Sequence, residues 1–337
     1  MGKKSKKTKP KYPFVSIVTP TFNRRPFINA MFECFKHQTY PKERMEWIII
    51  DDGSDKIKDL IESSGINEIK YYALNEKISL GKKRNMLHEK SKGDIIVYMD
   101  DDDYYPPTRV EHAVTMLQKS SNILIAGCSE LYIYFKKQHD LYKFGPYGAN
   151  HATAATFAFK RKLLNNTSYN ETSCIAEEKE FLKNYTIPMI QLDPKQVILV
   201  FSHSHNTYDK QELLEQPPNK YRTLSNLTVD DFIKESSLKQ FYLHDIEPAL
   251  ITYMPGKPDM KPDVIKQTKE LREKRISAQQ RIADEKLSGV KVKLENDSIK
   301  ELTTREVITM LEAHKTEINR LNAIIDVYKN NTLIQNE

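Results

Sequence analysis

The passage that most constrains this chain is Asp94-Ile95-Ile96-Val97-Tyr98-Met99 running straight into Asp100-Asp101-Asp102-Asp103. A short apolar, β-branched run bounded by polar punctuation predicts a buried strand. Four adjacent carboxylates at the mouth of such a strand repel one another. They persist best with something positive among them, and a hard divalent cation with oxygen ligands is the natural candidate. In an open α/β sheet, ligands bind beyond the carboxyl ends of the strands. The cluster therefore falls where a catalytic metal would be useful. The plainer alternative, a solvated acidic loop, fits poorly directly after so apolar a strand.

The same grammar recurs along the first half of the chain. Phe14 to Thr19, Trp47 to Ile50, Ile69 to Ala73 and Asp94 to Met99 predict strands. Helical spacing marks Phe27 to Phe35, the stretch through Ile57, Leu60 and Ile61, Gly81 to Lys90, and Arg109 to Leu117. Strands alternating with helices predict an α/β fold with a mainly parallel, doubly wound sheet. Further on the pattern is mixed. Ile123 to Ile125, Leu131 to Phe135, Thr153 to Phe159 and Val197 to Phe201 predict strands, and Glu177 to Asn184 a helix. Pro217-Pro218, Met254-Pro255-Gly256-Lys257-Pro258 and Lys261-Pro262 are breaks. From Asp263 onward few breakers occur, and a C-terminal helical extension is expected. There Val307, Leu311, His314, Ile318, Leu321, Ile325 and Tyr328 recur at alternating spacings of four and three, a short heptad seam. It suits either packing on its own domain or self-association into a homo-oligomer. The expected organisation is a basic tail over 1–11, a catalytic domain over 12–216, an extension or linker over 217–260 and a helical region over 261–337.

Charge and cysteine usage narrow the function classes. The formal net charge is +6, and Lys3, Lys4, Lys6, Lys7, Lys9 and Lys11 account for that surplus numerically. Such a run reads first as a solvated, disordered tail, with peripheral contact to an anionic membrane as the weaker reading. No nucleic-acid partner is expected. Cys34, Cys128 and Cys174 are far apart and form no metal-ligand or disulfide pattern. No run is long and apolar enough for a transmembrane segment. A reducing, cytoplasmic location is expected. A composition rich in Lys, Asn, Ile and Tyr suits an AT-rich genome such as that of a large DNA virus, which would place the chain in host cytoplasm or virion.

Neither a Gly-x-Gly-x-x-Gly after a strand nor a Walker sequence is present, so phosphate recognition falls to a metal and basic side chains. Five segments, in order and spacing, carry a resemblance. They are Pro20-Thr21-Phe22-Asn23-Arg24 after the first strand, Ile48-Ile49-Ile50-Asp51-Asp52-Gly53-Ser54, Gly81-Lys82-Lys83-Arg84-Asn85, Met99-Asp100-Asp101-Asp102-Asp103, and Ala176-Glu177-Glu178-Lys179-Glu180-Phe181. Together, over about Pro13 to His205, they resemble the family 2 glycosyltransferases of the GT-A fold.

That resemblance implies an inverting, metal-dependent transfer of a sugar from a nucleotide-sugar donor, most naturally a UDP-sugar, to a hydroxyl acceptor that the sequence does not identify. Pro20, Thr21, Asn23 and Asp52 would line the nucleotide pocket. Arg84 would reach the diphosphate, its planar fork suiting phosphate. Asp100 and Asp102 match the family's DxD pair. Asp102 is the better metal ligand for Mn2+ or Mg2+, while Asp100 and Asp101 stay closer to the donor. Glu178 matches the base that takes the acceptor proton, with Glu177 as its substitute. His203 and His205, after a strand and expected to point the same way, are further metal candidates. Two rivals stand beside this reading. One is a non-catalytic glycan-binding or scaffold protein that kept the fold. The other is a sugar nucleotidyltransferase, which would open with a Gly-rich phosphate loop that Pro20-Thr21-Phe22-Asn23-Arg24-Arg25 is not.

Overall fold

The computed structural model describes residues 11–287, 290–293 and 298–334. The basic stretch therefore lies, except for Lys11, outside the described residues. Two compact units are present, one reaching Lys266 and one starting at Gln267.

The first unit opens with β1 (Val15–Thr21), α1 (Arg25–Lys36), β2 (Met45–Asp51), α2 (Lys58–Ser63), β3 (Ile69–Ala73), α3 (Leu80–Lys90), β4 (Ile95–Tyr98) and α4 (Arg109–Lys119). It continues through β5 (Ile125–Gly127), β6 (Leu131–Phe135), β7 (Asp140–Phe144), β8 (Ala158–Lys160), α5 (Glu178–Phe181), β9 (Met189–Gln191) and β10 (Val200–Ser202). It closes with α6 (Glu212–Glu215), β11 (Arg222–Leu224), α7 (Ser236–Gln240), α8 (Ile246–Thr252) and the start of α9 (Pro262–Leu287).

The main sheet has the order β3-β2-β1-β4-β8-β5-β9. β1 pairs in parallel with β2 and β4, and β2 with β3. β8 runs antiparallel between β4 and β5. This is the mixed, mainly parallel α/β sheet that the alternation predicts.

Period-two alternation divides the strands between two apolar clusters. Ile17, Trp47, Ile49, Ile95 and Val97 enter one, while Val18, Ile48, Ile50, Ile96 and Tyr98 enter the other. α1 covers the first face, with Phe35 stacked on Trp47 at 4.7 Å and Phe32 edge-on to it at 6.0 Å. A second sheet, β10-β6-β7-β11, lies beside these elements in the chain's second part.

The stretch 217–260, expected as an extension or linker, is built into the same unit. Val229, Phe232, Ile233, Leu238 and Tyr242 are buried in the larger cluster. Tyr242 donates to the Asp103 carbonyl at 2.8 Å, and Tyr104 to Glu235 at 2.9 Å. The segment thus braces the acidic loop from behind.

Two sequence expectations shorten. Thr153 to Phe159 splits into a 3-10 turn at Ala154–Thr156 and β8, and the helix expected over Glu177 to Asn184 is only α5. The cause of the second is backbone conformation. Lys183, Asn184 and Tyr185 have φ of 50°, 56° and 61° and turn the chain out of the helix.

In the second unit, α9 continues, β12 (Val290–Lys293) and β13 (Ile299–Leu302) form an antiparallel hairpin, and α10 (Thr304–Ile334) follows. The hairpin had no signal in the sequence; the two helices did. On α10, Leu311, Ile318, Leu321 and Ile325 are exposed; the side chain of Tyr328 lies outside the described residues. No helix among the described residues is long and apolar enough to cross a membrane.

Candidate functional site

The carboxyl ends of β1 and β4 open into a cleft, at the edge where open α/β sheets bind their ligands. Pro20, Thr21 and Phe22 come from the end of β1, Lys83 and Arg84 from α3, and Asp100, Asp101 and Asp102 from the loop after β4. Lys77, Thr207, Lys261 and Asp263 also line it. The parallel pairing of β1 with β4 puts the Pro20 segment and the acidic loop on one edge of the sheet.

The acidic loop is held by cations of the chain itself. Arg24 is 4% exposed. Its Nε lies 3.5 Å from Asp101 and its Nη2 3.2 Å from Asp102, while Nη1 donates to the His205 carbonyl at 2.6 Å. On the other side Arg84 donates from Nε to Glu177 at 2.7 Å and reaches Asp100 at 3.5 Å. Its guanidinium lies 4.7 Å from the Tyr98 ring centroid, a cation–π arrangement.

Four adjacent carboxyl groups do not all ionise equally. Burial pushes Asp101 and Asp103 up, with Asp102 adding to the rise at both. Burial also works against Asp102, but Arg24 and His203 hold it well below the usual carboxylate range. Asp102 is therefore the firmly ionised member. His203 Nε2 lies 3.3 Å from Asp102 Oδ2, and burial pushes the imidazole down to about 3, so it is neutral at pH 7.

Among the described residues no group of three His, Cys, Asp or Glu side chains forms a metal cage. Mg2+-type ions are commonly held by one or two carboxylates with substrate phosphates completing the sphere. Asp102, with Asp100 on the same cleft wall, supplies that kind of oxygen donor set; His203 lies outside the lining, its Nδ1 accepting from His205 N at 3.2 Å and its Nε2 facing Asn206 Nδ2 at 2.8 Å as well as Asp102. The residues fit such an ion in this limited sense.

His205 does not join them. Its Nε2 is bonded to the Tyr253 carbonyl at 2.7 Å and its Nδ1 faces Ser204 at 3.2 Å. The expectation that both imidazoles point one way fails because β10 ends at Ser202. Residues 203–206 form a turn closed by Asn206 N donating to the His203 carbonyl at 3.1 Å, so strand alternation no longer applies.

Two expected nucleotide-pocket residues sit behind the cleft wall. Asn23, at φ 53°, accepts from Asp55 N at 2.9 Å and donates to the Pro255 carbonyl at 2.9 Å. Asp52 accepts from Ile78 N at 2.8 Å and pairs with Lys83. Neither lines the cleft. The reason is electrostatic: Lys83, 5% exposed, needs a carboxylate, and Asp52 is in reach. The neighbouring Asp51 shapes the loop, accepting from Gly53 N at 2.9 Å, Ile57 N at 3.2 Å and Tyr71 Oη at 2.7 Å.

Glu177 and Glu178 open α5, with Glu177 at its N-cap position. Glu177 is buried against Arg84, whereas Glu178 is half-buried. Neither of the two is among the residues that line the cleft. Arg24, Lys77, Thr207, Lys261 and Asp263 carried no sequence expectation as site residues. Arg24 belonged to a quoted motif and could have been found there; the others had no local signal.

Residues 16–186, half of the chain, match the family model Glycosyl transferase family 2. An uncharacterized glycosyltransferase of Rickettsia typhi is 28% identical over 130 residues, 39% of this chain and 40% of the relative. Another, of Haemophilus influenzae, is 29% identical over 109 residues, 32% of this chain and 36% of the relative. The chain thus spans well under half the length of these curated relatives. Among solved structures, Staphylococcus aureus TarS 1–349 in complex with UDP aligns with a TM-score of 0.44 and 18% identity, covering 57% of this chain and 61% of that one.

Proposed function

The chain belongs to glycosyl transferase family 2, and on that premise we propose that it is an inverting glycosyltransferase that moves a sugar from a nucleoside-diphosphate donor, UDP-linked by preference, to an acceptor hydroxyl. What carries this proposal is one juxtaposition. Asp100, Asp101 and Asp102 share a cleft with Lys83 and Arg84 at the carboxyl edge of a parallel sheet. Such a site suits an anion and a hard cation together.

The donor's base enters along Pro20, Thr21 and Phe22. Arg84, aligned by Glu177 and stacked on Tyr98, meets the diphosphate. Asp102 and Asp100 would hold a Mn2+ or Mg2+ ion, with His203 set against Asp102. When bound, that ion supplies Lewis-acid neutralisation of the charge on the departing diphosphate. Glu178 takes the proton from the acceptor hydroxyl. The acceptor oxygen then forms the new bond to the anomeric carbon as the bond to the phosphate oxygen breaks on the opposite face. Glu177 serves as the anchor of Arg84, since its carboxylate is already engaged there. Most of the acceleration comes from positioned charge, with the proton transfer adding a smaller factor.

The test is turnover of a UDP-sugar panel with Mn2+. Asp102→Asn should abolish transfer with the fold intact. Glu178→Gln should lose about 100-fold or more in turnover while donor binding persists. Near-normal turnover of Glu178→Gln would remove Glu178 from the role of base.

The exposed apolar seam of α10 supports a second reading about assembly: two copies of the chain associate through it. Leu311, Ile318, Leu321 and Ile325 lie at heptad spacing and are 62%, 56%, 45% and 47% exposed in the single chain.

A further inference from the structure

Five cations line the cleft: Arg24, Lys77, Lys83, Arg84 and Lys261. Four have carboxylate partners. Arg24 pairs with Asp101 and Asp102, Lys77 with Asp263, Lys83 with Asp52, and Arg84 with Asp100 and Glu177. Lys261 differs. It is 6% exposed, and its ammonium donates to the Thr207 hydroxyl at 2.8 Å. No carboxylate among the described residues forms an ion pair with it. Asp101 and Asp102 act on it only through space, and a buried ammonium whose hydrogen-bond partner is a neutral hydroxyl is unfavourable until an anion joins it directly.

The backbone keeps it there from both sides. Upstream, the Tyr253 carbonyl is bonded to His205, the Tyr253 hydroxyl donates to Asp55 at 2.9 Å, and the Pro255 carbonyl accepts from Asn23. Gly256 approaches so closely that a Cβ there would meet the Asn23 carbonyl oxygen at 2.6 Å and the His205 ring at 3.0 Å. Downstream, Asp263 pairs with Lys77 and accepts from the Cys174 thiol at 3.3 Å. Three ammonium groups, those of Lys77, Lys83 and Lys261, gather around the Phe22 ring at 5.4, 5.9 and 5.8 Å from its centroid. They form a positive floor to a cleft whose other wall is acidic.

We propose that Lys261, which lies beyond the region shared with the family, binds the diphosphate of the nucleotide and holds it as it leaves. This rests on the reading of the cleft as a nucleoside-diphosphate site. A family-matched domain of residues 16–186 then lacks one of its phosphate ligands until the strap 253–264 lies across it. Burial, helped by Arg24 and opposed by Asp101 and Asp102, lowers the ammonium to about 7; an incoming phosphate would raise it again.

The experiment measures UDP affinity by calorimetry with Mn2+ present, on the full chain, alongside thermal stability. Lys261→Met keeps the apolar stem and removes the charge. It should weaken UDP about tenfold or more while leaving the melting temperature unchanged or higher. Lys261→Arg should bind UDP within about threefold of the native chain. UDP affinity unchanged in Lys261→Met overturns this inference alone. So does a joint loss of stability and affinity that Lys261→Arg fails to rescue. If the native chain binds no UDP, the reading of the cleft falls, and this inference with it.

Discussion

Arg24 has the largest hand in the charge state of the acidic loop, because its guanidinium, with His203 adding to it, keeps Asp102 ionised against burial. Arg24→Ala leaves the buried Asp101 without its cation and Asp102 with His203 alone, and breaking a buried pair costs about 3–5 kcal/mol. Thermal unfolding of that variant should therefore be well below the native chain in EDTA and recover in part with Mn2+. The native chain should respond less to the same ion. His88 makes a second residue-scale prediction. It is buried, bonded through Nε2 to the Tyr98 hydroxyl at 2.6 Å, and pushed down to about 3 by burial and then by Arg84. The fold thus prefers the neutral imidazole. The stability it contributes is complete above the unfolded-state value of about 6.5 and is lost as pH falls from there toward 3. His88→Gln should flatten part of the fall in melting temperature over that window, with His203 supplying more of the same slope. An acid limb of unchanged slope in His88→Gln would remove His88 from that role. At this scale the sequence exposed the residues that sit in motifs. Asp102 and Arg84 were legible as cleft residues because their chemistry is concentrated in a few adjacent positions. Asn23 and Asp52 lie behind the cleft wall, which a motif does not reveal, because it shows residue types and not which neighbour already holds the side chain. Lys83 took Asp52, and that pairing spans sequence distance no pattern reports.

Elements were legible where a period was strong. β1, β2 and β4 announce themselves as short, mostly apolar and β-branched runs, and the structure divides each between two apolar clusters. Short elements were not legible. α5 is four residues because the chain turns left-handed at Lys183, Asn184 and Tyr185, none of which is glycine. Arg109 shows what else a pattern conceals. At the first position of α4 it reads as a surface charge, yet it is 0% exposed. Its Nη2 donates to the carbonyls of Tyr98, Thr156 and Phe157 at 3.1, 3.0 and 2.8 Å, tying α4 to the end of β4 and to the turn before β8. Arg109→Met removes all three bonds and takes a charged donor from buried carbonyls, of which that of Phe157 keeps the Tyr98 amide at 2.9 Å. Urea unfolding should show a loss of about 3 kcal/mol or more, with Arg109→Lys recovering part of it. A loss under about 1 kcal/mol would contradict that role.

For the molecule as a whole, the helices of the second unit were visible in composition, but the division at Lys266 and Gln267 was not, because α9 runs through it without a breaker. If the α10 seam pairs two copies, the full chain should sediment as a dimer or larger species at micromolar concentration, and a chain ending at Lys266 as a monomer. Identical behaviour of the two would end that assembly reading. The central claim, that a nucleoside diphosphate is gripped where β1 and β4 empty into the acidic loop, is tested most directly by crystals grown with UDP and Mn2+. The account predicts the diphosphate within contact of Arg84 and Lys261, with an ion on Asp102. A nucleotide seated elsewhere, or a cleft where Arg24 still holds Asp102 and no phosphate has entered, would contradict it.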